Sequence, residues 1–207
     1  MTAPGKSGAR PALLVPMKDF PQEFEAEENL WYDYDHIPER LLCEGMLSCE
    51  RLERYPLEPV GWTPDQAWSR HILVYRLASI DVLKSPGYQL QKTLNNGRGS
   101  LWRQKVAALK KAAQGPKGRS IRAAFIQRDM PWAARRPIEL PEPRVYWVQF
   151  RHDMGGMDEA VNDFIDARLA PELLMLPGFL GCERYEAAAM LYAKSAGEKA
   201  TFRHPKY

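Results

Sequence analysis

The sequence predicts an α+β protein built from two related units, and three observations support this fold class. Short apolar or alternating runs, typical of strands, alternate with amphipathic stretches of helical period. The chain also resembles itself without a gap at a spacing of 133 residues, so that Asn29 aligns with Asn162 and Arg51 with Arg184. At 207 residues, the chain is long enough for one or two domains with a substantial core.

The first unit is predicted to contain four strands and three helices. Apolar and alternating runs predict strands at Ala12–Met17, Leu47–Tyr55, His71–Leu77 and Ser120–Arg128. Helical spacing and proline or glycine boundaries predict helices that begin at Asp19–Pro21, span Asp81–Leu94 with a break at Ser85–Tyr88, and span Leu101–Ala113. Because Pro38 disfavours helical geometry at Ile37, the first helix is expected to end or kink near His36.

The second unit is predicted to be shorter than the first. Four prolines (Pro131, Pro137, Pro141 and Pro143) indicate a linker. This linker separates a tail (1–10) and a first unit (11–130) from a second unit (144–207). The second unit is predicted to contain a strand at Val145–Phe150, a helix at Asp158–Ala170 and a strand at Leu180–Tyr185. Since about twenty residues remain, the second sheet lacks its last elements, and we expect a homodimer or the linker to cover its edge.

The two units share their scaffold residues but not their polar ones. Identical pairs occur along the whole alignment: Asn29/Asn162, Asp33/Asp166, Pro38/Pro171, Glu39/Glu172, Gly45/Gly178, Cys49/Cys182 and Arg51/Arg184. Asp35 and His36, however, align with Arg168 and Leu169. A requirement of folding would act on both copies, so this difference marks the first unit as the one with a functional site.

A β-α-β-β-α-β order is ferredoxin-like, and the residues at three places are similar to those of a known superfamily. Trp31-Tyr32 followed by His36, Pro38 and Arg40, then Gly45-Met46, then Ser85-Pro86-Gly87-Tyr88 resemble the dimeric α+β barrel superfamily, particularly its EthD-like members. The first unit differs in having Asp35 where the family usually has glutamate, and Pro177-Gly178-Phe179 of the second unit is closer to the family's turn.

The resemblance implies two ferredoxin-like repeats whose antiparallel sheets meet, with helices on one face and a ligand cleft between sheet and helices. Similar proteins include cofactor-free polyketide cyclases, small isomerases and lyases, monooxygenases and haem-binding relatives. Because one fold hosts many chemistries, the resemblance indicates fold more strongly than reaction.

His36 is the predicted general acid/base. A helix C-terminus favours its imidazolium form, as do nearby carboxylates, whereas burial among aromatic rings opposes that form. The alternative is a histidine that only caps the helix and packs on Trp31. Asp35 and Tyr34 are the other predicted catalytic residues, and the predicted substrate-binding residues are Trp31, Tyr32, Tyr75, His71 and Tyr88. The predicted reaction is proton transfer next to the carbonyl group of an aromatic or polyketide-like compound, without a cofactor.

Composition argues against several other classes of protein. No apolar run is long enough for a membrane span, no phosphate-binding glycine loop or metal motif is present, and three isolated cysteines do not form a disulfide framework. A reducing cytoplasm is therefore the expected location. Residues 97–136 carry eleven basic side chains against one acid, which could bind an anionic ligand or nucleic acid. The helix Leu101–Ala113 is amphipathic, however, and such a basic face is usually only solvated, so nucleic acid is not the expected partner. The alternatives are a haem-binding or oxygen-using relative and a non-catalytic binding or assembly protein.

Overall fold

The computed structural model describes residues 10–18, 22–53, 70–97, 104–105, 108, 120–127, 157–179 and 181–194. Most of the predicted tail, most of the predicted helix Leu101–Ala113, the proline-rich linker and the predicted strand Val145–Phe150 lie outside these residues.

Within the described residues, the strands form one antiparallel sheet. They are β1 (Ala12–Lys18), β2 (Met46–Glu53), β3 (His71–Leu77), β4 (Ser120–Gln127) and β5 (Tyr185–Lys194). Their order across the sheet is β2-β3-β1-β4-β5, and all neighbouring pairs are antiparallel. The predicted α+β class with an antiparallel sheet is confirmed, and the four strands of the first unit lie close to their predicted positions.

Helices connect the strands of the first unit in the order of a split β-α-β arrangement. Between β1 and β2, a short 3₁₀ turn (Gln22–Phe24) leads into α1 (Glu25–Trp31), a π-helical turn (Tyr32–His36) and α2 (Ile37–Leu41). Between β3 and β4 lie a 3₁₀ turn (Ile80–Lys84) and α3 (Pro86–Gly97). The predicted break at Ser85 separates these last two elements.

Pro38 explains the π-helical turn. Proline has no N–H group, so it cannot donate the hydrogen bond that an α-helix needs at that position. The N–H of Ile37 instead donates to the carbonyl of Tyr32, five residues back. The helix therefore does not end near His36: the irregularity falls there, as the sequence indicated, but the chain stays helical to Leu41.

The second unit repeats this device at the same spacing. Its helices α4 (Asp158–Phe164) and α5 (Ala170–Met175) flank a π-helical turn at Ile165–Leu169, directly before Pro171. The N–H of Ala170 donates to the carbonyl of Ile165, again five residues back.

A repeated arginine joins each π-helical turn to the chain that follows it. Arg51 donates to the carboxylate of Asp33 and to the side-chain oxygen of Asn29. The same contacts join the counterparts of these residues, Arg184, Asp166 and Asn162. The local geometry of the alignment is thus present twice, from the helix to the arginine.

The strand of the second unit differs from the prediction. Residues 182–184 are irregular, Gly181 makes only an isolated bridge, and β5 runs from Tyr185 to Lys194 instead of from Leu180 to Tyr185. The counterpart of this segment, β2, pairs with β3. The chain instead forms its strand where β4 presents an edge, and Gln127 pairs with Tyr185.

The sheet has two differently composed faces. On the helix side, Leu14, Leu73, Tyr75 and Leu77 are almost fully buried and pack with residues of the first helix. On the other side, a smaller cluster contains Val15, Met17 and Phe125, with Leu13, Ile72 and Tyr185 packed against it. The candidate site lies on the helix side, in the larger cluster.

Candidate functional site

The π-helical turn brings Trp31 and His36 together. Hydrogen bonds that span five residues align residue i with residue i+5, which an α-helix would not do. The two ring centroids are 4.5 Å apart with the planes tilted by 32°. Tyr32 meets His36 edge-on at 5.3 Å and Trp31 edge-on at 4.6 Å. Three of the predicted site residues therefore form one compact aromatic group, which we call the Trp31–Tyr32–His36 cluster.

His36 is positioned between the protein interior and the solvent. Trp31 and Tyr32 are buried, whereas the His36 side chain is half-buried and its Nδ1 atom is enclosed. A histidine held in this way can exchange protons with a ligand on its open side while packing fixes the ring orientation.

Tyr75 belongs to the same core as this cluster and comes from the middle of β3. Its ring is 2% exposed, and its hydroxyl makes no hydrogen bond of normal length and angle to the described residues, although the Cys49 thiol on β2 is close enough to affect its ionisation. Burial raises the pKa of Tyr75 well above its usual range. Burial also raises the pKa of Cys49, to about 12, so this thiol is not a nucleophile at neutral pH. Tyr75 is therefore a neutral, buried hydroxyl.

Arg40 is the residue of this region that the sequence analysis did not include among the site residues. It is only 4% exposed, and its guanidinium lies 5.0 Å from the ring centroid of Tyr88, another predicted site residue on α3. Two features of the sequence could have identified it: Arg40 follows His36 by one helical turn, and it aligns with Leu173.

Two more cations lie over the aromatic cluster. The Lys18 ammonium, at the end of β1, lies 5.4 Å from the ring centroid of Tyr32 and 5.9 Å from that of Trp31. Arg51 lies 5.6 Å from Tyr32. Cations over aromatic faces are attracted by the ring quadrupole, so Tyr32 is fixed by both its burial and its charged neighbours.

The remaining predicted residues lie elsewhere. Tyr34 is 74% exposed and therefore does not join the buried rings. Asp35 is half-buried beside His36 in the π-helical turn. His71 is buried at the other end of β3, four residues from Tyr75, where its Nε2 lies 3.4 Å from a carboxylate oxygen of Glu25. The structure thus groups Trp31, Tyr32, His36, Tyr75 and Tyr88 in one core region and separates Tyr34 and His71 from it.

The helical segment of the second unit, from α4 through the π-helical turn to α5, provides an internal comparison; we call it the second helix. It has the same π-helical turn and the same arginine contacts, yet the counterparts of the site residues are apolar: Phe164, Ile165, Leu169 and Leu173 replace Trp31, Tyr32, His36 and Arg40. Phe164 is 52% exposed, whereas Trp31 is 6% exposed. The scaffold therefore folds without the polar residues.

Other kinds of site find no support in the described part of the chain. Among those residues, no group of three or more histidine, cysteine, aspartate or glutamate side chains could hold a metal ion. None of the described helices is long and apolar enough to cross a membrane. Comparisons with protein-family models, with curated proteins and with solved structures find no match.

Proposed function

We propose that this chain is a cofactor-independent enzyme that moves a proton at a carbon next to a carbonyl group. The substrate is a small, largely apolar, aromatic or polyketide-like carbonyl compound, and the outcome is cyclisation, isomerisation or elimination. His36 is the general acid/base, Asp35 orients its ring, and the Tyr75 hydroxyl holds the substrate oxygen. A positioned acid/base group contributes ~10²–10⁴ to the rate of such a step.

The observation that carries this proposal is the asymmetry between two matching helices. Both helices have the π-helical turn and the clamping arginine, but only the first turns an imidazole onto a tryptophan ring, with a centroid distance of 4.5 Å. Because the second helix forms the same turn with Leu169 in place of His36, the imidazole is not needed for the fold. A role toward a ligand accounts for its presence.

A specific observation also favours a second candidate function, a non-catalytic binding or assembly protein. Trp31, Tyr32, Tyr75 and Tyr88 are all buried, so side chains occupy much of the space between helix and sheet. A protein that uses these rings only for packing, or to bind a ligand at their rim, would show no turnover. The haem-binding or oxygen-using alternative would give the purified protein a Soret absorption band.

The finer structural predictions belong to this proposal as well. We propose that the chain contains two ferredoxin-like units of the dimeric α+β barrel type and that it works in the cytoplasm. Within the described residues, β2 pairs only with β3 and so presents an edge, which supports a homodimer. Sedimentation of the purified protein tests this: a monomer at all concentrations contradicts the homodimer.

Proton exchange tests the proposed chemistry without knowledge of the product. A panel of aryl β-diketones is incubated with the protein in D₂O, and loss of the α-proton signal is followed by NMR. The wild type is expected to accelerate exchange for at least one compound, and His36→Gln to reduce that acceleration at least tenfold. No acceleration across the panel, or equal acceleration by His36→Gln, would refute the proposal.

A further inference from the structure

Arg40 is a permanent cation enclosed in the same core as the proposed site. Its side chain is 4% exposed, and its guanidinium faces the ring of Tyr88 at 5.0 Å. Its charge also lowers the pKa of the Tyr75 hydroxyl and of the Cys43 thiol, which burial raises. Removing a guanidinium from water is costly, and the ring of Tyr88 offsets part of that cost.

The helix and its π-helical turn do not require an arginine at this position. The second helix has Leu173 at the equivalent position of α5, after the same π-helical turn, and this leucine is half-buried. Arg40 therefore follows the same pattern as His36: both are replaced by leucine in the copy that keeps the turn and the clamp. The two residues are also one helical turn apart, so they share a face of the helix.

Charge and hydrogen-bonding geometry indicate what this face binds. A guanidinium presents a planar fork of donors that matches the two oxygens of a carboxylate. Lys18, which lies 5.4 Å from the ring centroid of Tyr32 and 5.9 Å from that of Trp31, adds a second positive charge. The donors and charges around the aromatic rings thus favour a negative group on the ligand.

We infer that the substrate is an anion, an aromatic carbonyl compound that carries a carboxylate, and that Arg40 binds this carboxylate and determines the specificity of the site. This inference rests on the proposed function, since it specifies the substrate of that same site. His36 then acts on the carbon next to the carbonyl, one helical turn from the bound carboxylate.

Two probes of equal shape test the inference by calorimetric titration: 2-naphthoate, which is charged, and 2-naphthamide, which is not. The wild type is expected to bind the naphthoate at least tenfold more tightly, which corresponds to about 1.4 kcal/mol. Arg40→Met, an uncharged side chain of similar length, should remove most of this preference, because only the charge of Lys18 then remains near the rings. Leu173→Met, the matched change in the second helix, should leave the ratio unchanged.

A ratio near one in the wild type, no binding of naphthoate, or a full preference retained by Arg40→Met would overturn the inference. If Arg40→Met fails to fold by circular dichroism, Arg40→Lys replaces it. That variant keeps the charge but loses the fork, and the ratio should fall severalfold; an unchanged ratio would again overturn the inference.

The outcome can be separated from that of the proton-exchange experiment. A naphthoate preference that depends on Arg40, in a protein that exchanges no α-protons, would leave the binding inference intact and refute the enzymatic proposal. Exchange of neutral diketones without a naphthoate preference would support the enzymatic proposal and refute the binding inference.

Discussion

Arg51 binds Asp33 across the space between β2 and the π-helical turn, and the second unit reproduces this contact between Arg184 and Asp166. In both units, the same arginine reaches the asparagine that lies one turn earlier in the helix. Over this segment, the two halves of the chain therefore match in their side-chain contacts as well as in their sequence.

The two clamps should differ in strength because they differ in burial. The Arg51 and Asp33 side chains are 25% and 49% exposed, whereas those of Arg184 and Asp166 are 11% and 18% exposed. We expect Arg51→Met to lower the free energy of unfolding by about 1 kcal/mol and Arg184→Met by about 2 kcal/mol. Urea unfolding measures both. Equal losses, or a larger loss for Arg51→Met, would contradict this explanation.

Two glycines form a second matched pair. Gly45 and Gly178 follow the two helices with φ angles of 83° and 91°, a conformation that other residues adopt at a cost of about 1–2 kcal/mol. A Cβ atom at Gly45 would lie 2.5 Å from Cγ2 of Val82. At Gly178, no atom of the described residues would lie within 4 Å of the added Cβ.

Gly45→Ala should therefore destabilise the protein more than Gly178→Ala, by about 1–3 kcal/mol for the overpacking. Adding Val82→Ala to Gly45→Ala should remove part of the difference, because it removes the methyl group that is too close. Thermal unfolding of the three variants tests this order. A Gly178→Ala variant less stable than Gly45→Ala would show that the space around Gly45 is not the cause.

Much of the first unit could be predicted from the sequence because its strands and helices have clear periods. β3 alternates between buried and half-buried residues along its whole length, as expected for a strand between helices and a second face. The position of β5 could not be predicted in this way. Its partner, β4, is distant in the sequence, and local patterns do not indicate which edge a strand will use.

The candidate site was partly predictable for a related reason. An α-helix would place Trp31 and Tyr34 on one face, at a spacing of three residues. The wider π-helical turn instead aligns Trp31 with His36 and leaves Tyr34 exposed. The sequence indicated an irregularity before Pro38, but not that the chain would stay helical through a wider turn. Arg40 was missed because a charged residue near a helix end is usually on the surface.

His71 should make stability depend on pH. Burial lowers its pKa from the ordinary value of 6.5, an effect that Glu25 and Glu53 oppose and that Arg70 and Arg51 reinforce. Since the unfolded state then binds more protons than the folded state, stability is fully present above about pH 6.5 and is lost as the pH falls below it.

The urea midpoint of the wild type is therefore expected to fall between about pH 7 and pH 5.5, and that of His71→Gln to fall less over the same interval. Identical pH dependence in the two proteins would show that His71 does not contribute. A further loss of stability is expected below about pH 4.5, because the hydrogen bond from Arg70 holds the pKa of Glu53 below its usual value and is lost when that carboxylate is protonated.

Tyr75→Phe separates a structural role of this residue from a functional one. The Tyr75 hydroxyl is buried without a hydrogen bond of normal geometry to the described residues, so its removal should leave stability unchanged or slightly increased. If the hydroxyl holds the substrate oxygen, the rate of α-proton exchange should fall at least tenfold, about 1.4 kcal/mol. A destabilised variant with unchanged exchange would assign the hydroxyl to the core alone.

His36→Ala is the most direct test of the site, and Leu169→Ala is its matched control. Removing the imidazole ends its contacts with Trp31 and Tyr32, each worth about 0.5–1.5 kcal/mol beyond the area buried. The half-buried position of His36 limits the total loss, so the thermal midpoint should fall by about 2–4 °C for each kcal/mol lost. Exchange activity, in contrast, should fall at least tenfold.

Leu169→Ala removes an apolar side chain from the equivalent place in the other helix. It should lower the midpoint by a similar amount, since Leu169 is also half-buried, and leave the exchange rate per folded molecule unchanged. The comparison is decisive because both variants weaken one turn of the same scaffold. If His36→Ala is strongly destabilised but fully active, or if Leu169→Ala loses as much activity, then His36 serves the helix and not the substrate.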